Sequence, residues 1–208
     1  MLVSPVQQTF NLCQREITKT TTAFHAVDNC ELKPGDWFAV VGCGGLGQLA
    51  IQYGKAMGVK VIGLDINDDI LAAATKAGAD LVFNTMKNKE YEKELREATN
   101  GGANAAAVFS AVQPAYDTAT KILQIEGVLM VIGLPSKPIG FNPLDLMRKL
   151  YRIKSESTGP PQKMPKAIDF ISKHKIVPTV THYKLDQINE MIDIMQSGKA
   201  TGRMAVVF

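Results

Sequence analysis

The sequence predicts an α/β fold, a doubly wound parallel sheet of six strands, on three observations. From Pro34 onward, short runs rich in Val, Ile and Leu alternate with helical patterns. A glycine-rich turn joins the first of these runs to the first helix, and an acidic residue closes the second run.

The runs place strands at 37–42, 60–65, 81–83, 105–109, 126–132 and 153–158. The first helix carries Leu46, Ala50, Tyr53 and Met57 on one stripe, which can face the sheet, and Gly58 stops it. Asn67 caps the second helix, with Asp68 and Asp69 at its positive end, and Gly78 closes it. A third spans about 89–99, with Tyr91, Leu95 and Ala98 before "NGG" breaks the pattern. Beyond 158 the pattern changes. Pro165 suits the first turn of a helix running to Lys173, a strand follows at 179–183, and Leu185, Ile188, Ile192 and Met195 form a stripe on a last helix. Met191 and Met195 are read as core. "RMAVVF" closes the chain as a strand. Before Pro34 only the helix-like "FHAV" stands out.

The chain has 208 residues, with 23 Lys and Arg against 20 Asp and Glu, so its formal charge of +3 gives nucleic acid or a membrane surface no footing. A small-molecule partner is expected. Cys13, Cys30 and Cys43 form no CxxC pair and are odd in number, which argues against a disulfide scaffold or a self-contained structural zinc site and fits a reducing, cytoplasmic setting. No apolar stretch approaches the length of a membrane span, and the N-terminus lacks the pattern of a signal peptide.

Gly42, Gly44 and Gly47 fit GxGxxG, a weak pattern alone that its setting strengthens. It follows a strand, opens a helix, and is followed 18 residues after Gly47 by Asp65 at the next strand's end, the arrangement of a dinucleotide-binding Rossmann unit. The first glycine permits the tight turn, the second lets a pyrophosphate approach the backbone, and the third lets helix and strand pack closely. Asp65 can accept hydrogen bonds from ribose hydroxyls. Its carboxylate would repel a 2′-phosphate, and "DINDD" offers no Arg or Lys to receive one, so NAD is expected over NADP. Cys43, inside the turn, is read as packing. His25, His174 and His182 are read as interior or solvated residues, without an HxxxH or HExxH pairing.

At "VGCGGLGQLAIQYGKAMG" the sequence resembles the zinc-dependent alcohol dehydrogenases of the medium-chain dehydrogenase family, especially the yeast and fungal type. The resemblance runs from about Phe24 to Phe208. It includes "FHAVDNCELKPGDWFAVVGCGGLG", "VIGLD", "AGAD", "VIGLP" at 131–135, "AIDFISKHKIVP" and "GKATGRMAVVF". It implies that Gly44, Gly45 and Leu46 sit on the pyrophosphate, Asp65 on the adenosine ribose, and Ile132 with Leu134 beside the nicotinamide carboxamide. Arg203, in the family's "GR" position, would reach the pyrophosphate. The residues alone leave Arg203 open between that role and a plain surface charge.

The chain departs from the family in lacking most of the N-terminal catalytic domain, including the histidine zinc ligand and the four-cysteine lobe. The third catalytic ligand normally lies in a "CAG" segment, whereas "LCQREITKTTTAF" puts Cys13 eleven residues before Phe24. Cys13 is therefore a displaced zinc-ligand candidate. The expected division is a remnant of the catalytic domain or linker at 1–23, an NAD-binding Rossmann domain at 24–176, and a segment at 177–208 that in the family returns to the catalytic domain. The function expected is the NAD-binding part of a zinc-type alcohol dehydrogenase, catalytically incomplete as this chain, with no residue assigned a catalytic role. NAD is the cofactor; zinc belongs to the family, but its ligands are largely missing here. A small alcohol or aldehyde is the family's substrate, and a homo-oligomer is expected. Two rivals are a non-catalytic NAD-binding protein and a zinc-free quinone reductase of the same wider family, which would usually prefer NADPH.

Overall fold

The computed structural model describes residues 20–157, 161–197 and 200–207. Six strands form one parallel sheet: β1 (Trp37–Val41), β2 (Lys60–Asp65), β3 (Leu81–Asn84), β4 (Ala103–Val108), β5 (Leu123–Val131) and β6 (Tyr151–Ser155). Their order is β3-β2-β1-β4-β5-β6, so the chain reverses direction across the sheet between β1 and β4. The doubly wound sheet expected from the sequence is the one observed.

Side chains along the central strands alternate between two cores, as the period of a strand requires. Phe38, Val40, Val61, Ala105, Ala107, Val128 and Met130 face one core. Ala39, Val41, Ile62, Leu64, Ala106, Val108 and Leu129 face the other. The first core is covered by α1 (20–28), α2 (Gly45–Ala56), α3 (Asp68–Lys76) and α7 (Met164–His174), through Phe24, Leu49, Tyr53, Ile70 and Ala167. The second is covered by α4 (Tyr91–Thr99) and α5 (Gln113–Ile122), through Tyr91, Leu95, Tyr116 and Ile122. Burial on both faces is why these strands read as apolar runs rather than alternating patterns. Alanine is a poor strand former, yet Ala105, Ala106 and Ala107 are fully buried in β4. Their small side chains let the helix layers approach the sheet's centre.

The caps follow the sequence. Asn67 Oδ1 accepts from the Asp69 amide at 2.8 Å and starts α3. Gly58, at φ 83°, follows the end of α2, and Asn100 ends α4 in the left-handed region at φ 56°.

Three features differ from expectation. α5 was not expected, because its sequence QPAYDTATKI buries only Tyr116, Ala119 and Ile122, a stripe too sparse to show as a period. β6 begins at Tyr151 and ends at Ser155, because its limits are set by pairing with Gly127 through Val131 rather than by its own composition. The stripe read as core on the last helix, α8 (Ile188–Gln196), is largely exposed: Met195 is 58% accessible, and no residue of α8 is buried. That helix lies over a separate two-stranded parallel sheet of β7 (Val180–Lys184) and β8 (Arg203–Val207), which offers too little surface to cover it. A short helix, α6 (Pro143–Met147), precedes β6. Among the described residues no helix is long and apolar enough to cross a membrane.

Candidate functional site

The site lies at the carboxyl edge of the sheet, where β1 and β4 part and the crevice of a doubly wound fold opens. Gly42 leaves β1 at φ 90°, its amide donating to Leu64 O at 2.8 Å. A Cβ there would meet the Ser110 amide nitrogen at 3.0 Å, so the turn presses on the end of β4. Gly47 is the closest contact: a Cβ would lie 2.2 Å from Gly42 O, which only glycine permits in this helix-to-strand packing. Gly44 differs, with open space around its missing side chain. It occupies the N-cap of α2 without a side-chain cap, so the amides of Gly45, Leu46 and Gly47 have no intrahelical acceptor and point their partial positive charge outward.

Asp65 ends β2 beside this turn. One carboxylate oxygen accepts from the Cys43 amide at 2.9 Å, and the other from the amides of Ile66 and Asn67 at 2.8 and 3.1 Å. The acid thus braces the glycine turn while remaining partly exposed. A cavity of about 650 Å³ opens on it, lined also by Ile66, Asn67, Met86, Lys87 and Ser110. Met86 and Lys87, which sequence reasoning missed, come from the turn after β3. Lys87 is engaged by Asp68 in an exposed ion pair. Nothing local in the sequence announces either residue, since pairing of β2 with β3 is what brings that turn alongside Asp65.

Arg203 starts β8, with its amide donating to Thr179 O at 2.9 Å. Its Cγ lies 3.0 Å from where a Gly45 Cβ would stand, so the C-terminal segment sits directly against the glycine turn. Gln48 reinforces that contact. Almost fully buried, it donates to Cys43 O at 3.2 Å and also to Thr201 O. Nothing local in the sequence signals it, since Gln52 and Lys55 share its side of the helix.

Ile132 and Leu134 flank Gly133 just beyond β5. The amides of Ile132 and Gly133 both donate to Val108 O, at 3.2 and 2.8 Å, and a Cβ on Gly133 would lie 2.4 Å from Ser110 O. Ser110 is therefore wedged between the glycine turn and this second turn. Ile132 is half-buried and Leu134 is 83% exposed.

Cys43 is fully buried, its thiol near the Val40 and Leu64 carbonyl oxygens, and burial pushes its pKa up. Cys30 is likewise buried, its thiol pushed up to about 12. Both are inert packing residues. His25 is fully buried, and among the described residues neither ring nitrogen has a hydrogen-bond partner, whereas His174 stacks on Phe170 at 4.3 Å and His182 is exposed. Cys13 lies outside the described residues. Among the described residues no three His, Cys, Asp or Glu side chains gather where they could hold a metal ion.

The zinc-binding dehydrogenase profile matches residues 45–173. The chain belongs to that family. It is 32% identical over 185 residues to an alcohol dehydrogenase of Geobacillus stearothermophilus, a match covering 89% of this chain and 54% of that protein. The crystal structure of the alcohol dehydrogenase from the hyperthermophilic archaeon Aeropyrum pernix superposes with a TM-score of 0.82 at 27% identity, covering 91% of this chain and 56% of that one. Acetophenone reductase from Geotrichum candidum, solved in complex with NAD, shares the fold, with a TM-score of 0.79 at 24% identity over 91% of this chain and 53% of that one. The chain spans about half the length of these relatives.

Proposed function

We propose that this chain is the NAD-binding part of an alcohol dehydrogenase, holding the cofactor that exchanges hydride with a small alcohol or aldehyde. The observation that carries the reading is Asp65, an exposed-edge carboxylate anchored to the Cys43 amide of a glycine turn whose middle position, Gly44, is open. In this reading Gly42 and Gly47 shape the turn, and the amides of Gly45 and Leu46 meet the pyrophosphate with Arg203. Asp65 takes the adenosine ribose hydroxyls, while Ile132 and Leu134 flank the nicotinamide. NAD, when bound, supplies the hydride acceptor; the protein's part is to orient it and exclude water.

The described residues do not assemble a zinc site. Residues 24–176 serve as the nucleotide-binding unit and 177–208 as a segment shared with the catalytic part, in a cytoplasmic homo-oligomer.

Fluorescence titration tests the cofactor choice. NADH should bind at least about tenfold more tightly than NADPH, roughly 1.4 kcal/mol, and Asp65→Ala should narrow the gap. Lys87→Ala provides the control, because that lysine is a cation lining the same cavity as Asp65. Equal affinities for the two cofactors would refute the reading.

A further inference from the structure

Gln48 lies in the first turn of α2 with 4% of its surface accessible, and its side-chain nitrogen donates twice: to Cys43 O at 3.2 Å, inside the glycine turn, and to Thr201 O, in the stretch that leads into β8. Both partners are carbonyl oxygens, so the position calls for a group with two protons on one atom. A carboxylate of the same shape would face two like partial charges, and an apolar side chain would leave both carbonyls without this donor.

Thr201 is two residues before Arg203, and the backbone between them is seated on the same turn. A Cβ on Gly45 would meet Arg203 Cγ at 3.0 Å and Gly202 C at 3.3 Å, one on Gly202 would meet Thr179 O at 3.1 Å, and the Arg203 amide donates to Thr179 O at 2.9 Å. The stem of the guanidinium therefore starts flush against α2. Apolar burial does little to keep it there: Thr201 is exposed, β8 is only partly covered, and no residue of α8 is buried. A unit that buries so little depends on its polar ties for its position.

We propose that Gln48 is a positioning residue for Arg203: by tying the Thr201 carbonyl to the glycine turn, it sets the guanidinium where an anionic ligand on that turn meets it. The inference rests on the NAD reading above, in which that ligand carries a nucleoside diphosphate. Gln48 is buried, touches no ligand, and acts through the backbone of residues 201–203.

A double-mutant cycle read by calorimetric titration with ADP separates this role from a structural one. Gln48→Met should bind ADP about threefold to tenfold more weakly than the parent, the range of one lost hydrogen bond. Arg203→Met should weaken ADP by about tenfold or more, the range of a charge-assisted bond. In that background Gln48→Met should cost less than about twofold further, because no guanidinium is left to position. The fall in ADP affinity with added NaCl should also be shallower in Gln48→Met and in Arg203→Met than in the parent. Gln52→Met is the control: it releases the same segment at Val177 O, away from Arg203, and should leave ADP binding within about twofold. Additive losses in the double variant, a parental salt dependence in Gln48→Met, or unchanged ADP binding in that variant overturns the proposal. Gln48→Glu, which keeps the shape and loses the donors, carries the same cycle with the same deciding outcomes should the methionine variant fail to fold. A parent that binds neither ADP nor NADH overturns the NAD reading, and the role of Gln48 with it; a parent that binds both while the Gln48 variants bind alike loses only the positioning role.

Discussion

Gly44 and Gly47 stand three residues apart in one motif, yet a methyl group should do opposite things at the two positions. At Gly47 it would lie 2.2 Å from Gly42 O, 3.1 Å from Gly42 C and 3.2 Å from Val40 Cγ1. Two of these are backbone atoms in the turn itself, so no rotamer change relieves the clash and α2 must move off β1. Leu49, Ala50, Ile51 and Tyr53, all essentially buried, move with it. Overpacking of this kind costs about 1–3 kcal/mol, a fall in Tm of roughly 2–12 °C for a chain of this size. At Gly44 the methyl meets nothing within 4 Å, and the backbone, at φ −63° and ψ −163°, is one that alanine adopts freely. Reduced unfolded-state entropy favours Gly44→Ala by about 0.4–1 kcal/mol, offset by the weaker N-cap, so its Tm should stay close to the parent's. In the proposed NAD-binding role, the same methyl stands where the pyrophosphate would approach. Thermal melts with and without NADH measure both effects. A ligand at about 100 times its Kd stabilises by roughly 2.7 kcal/mol, and that upward shift should vanish in Gly44→Ala while the unliganded melt is unchanged. A Gly44→Ala protein that keeps the shift, or a Gly47→Ala protein that melts with the parent, would refute the assignment of separate roles.

Other outcomes follow from the buried polar groups and the exposed face. Burial holds the His25 imidazole below its ordinary 6.5, against the raising influence of Glu156 and Asp28 and with the lowering influence of Lys163 and Lys166. The unfolded chain therefore takes up that proton first, so stability is complete above 6.5 and declines as pH falls below it toward the folded value. Urea unfolding at about pH 7.5 and pH 5.5 should show this loss, and His25→Phe should shrink it; an identical loss in the variant removes His25 as the cause. Tyr53 is fully buried, and among the described residues its hydroxyl has no hydrogen-bond partner, so Tyr53→Phe should leave stability equal or raise it by about 1 kcal/mol, and a drop in Tm would show a bond to its hydroxyl. Ile192 and Met195 leave apolar side chains of α8 exposed, and Val177 is a third exposed apolar residue, so the chain should bind a hydrophobic dye or self-associate in light scattering, and Ile192→Glu should weaken both; a monomer that binds no dye contradicts this.

The sequence by itself determined the parts of this protein that are local. Strands buried on both faces appear as apolar runs, the Asn67 cap and the Gly58 stop are short-range, and the spacing of Gly42, Gly44, Gly47 and Asp65 is fixed by one strand–turn–helix–strand unit whose geometry tolerates little else. The helix α5 escaped because Tyr116, Ala119 and Ile122 are too few to mark a stripe, and α8 misled because an apolar stripe reports a face suited to burial, not one that is buried. Tertiary structure decided everything that joins distant residues. It alone sets Arg203 against Gly45, Gln48 onto Thr201, Lys87 beside Asp65 and the Tyr116 hydroxyl onto Gly133. The physical reason is that periodicity and turn chemistry act over one or two turns of chain, whereas these contacts depend on strand order and register, which are selected by the packing of both cores at once.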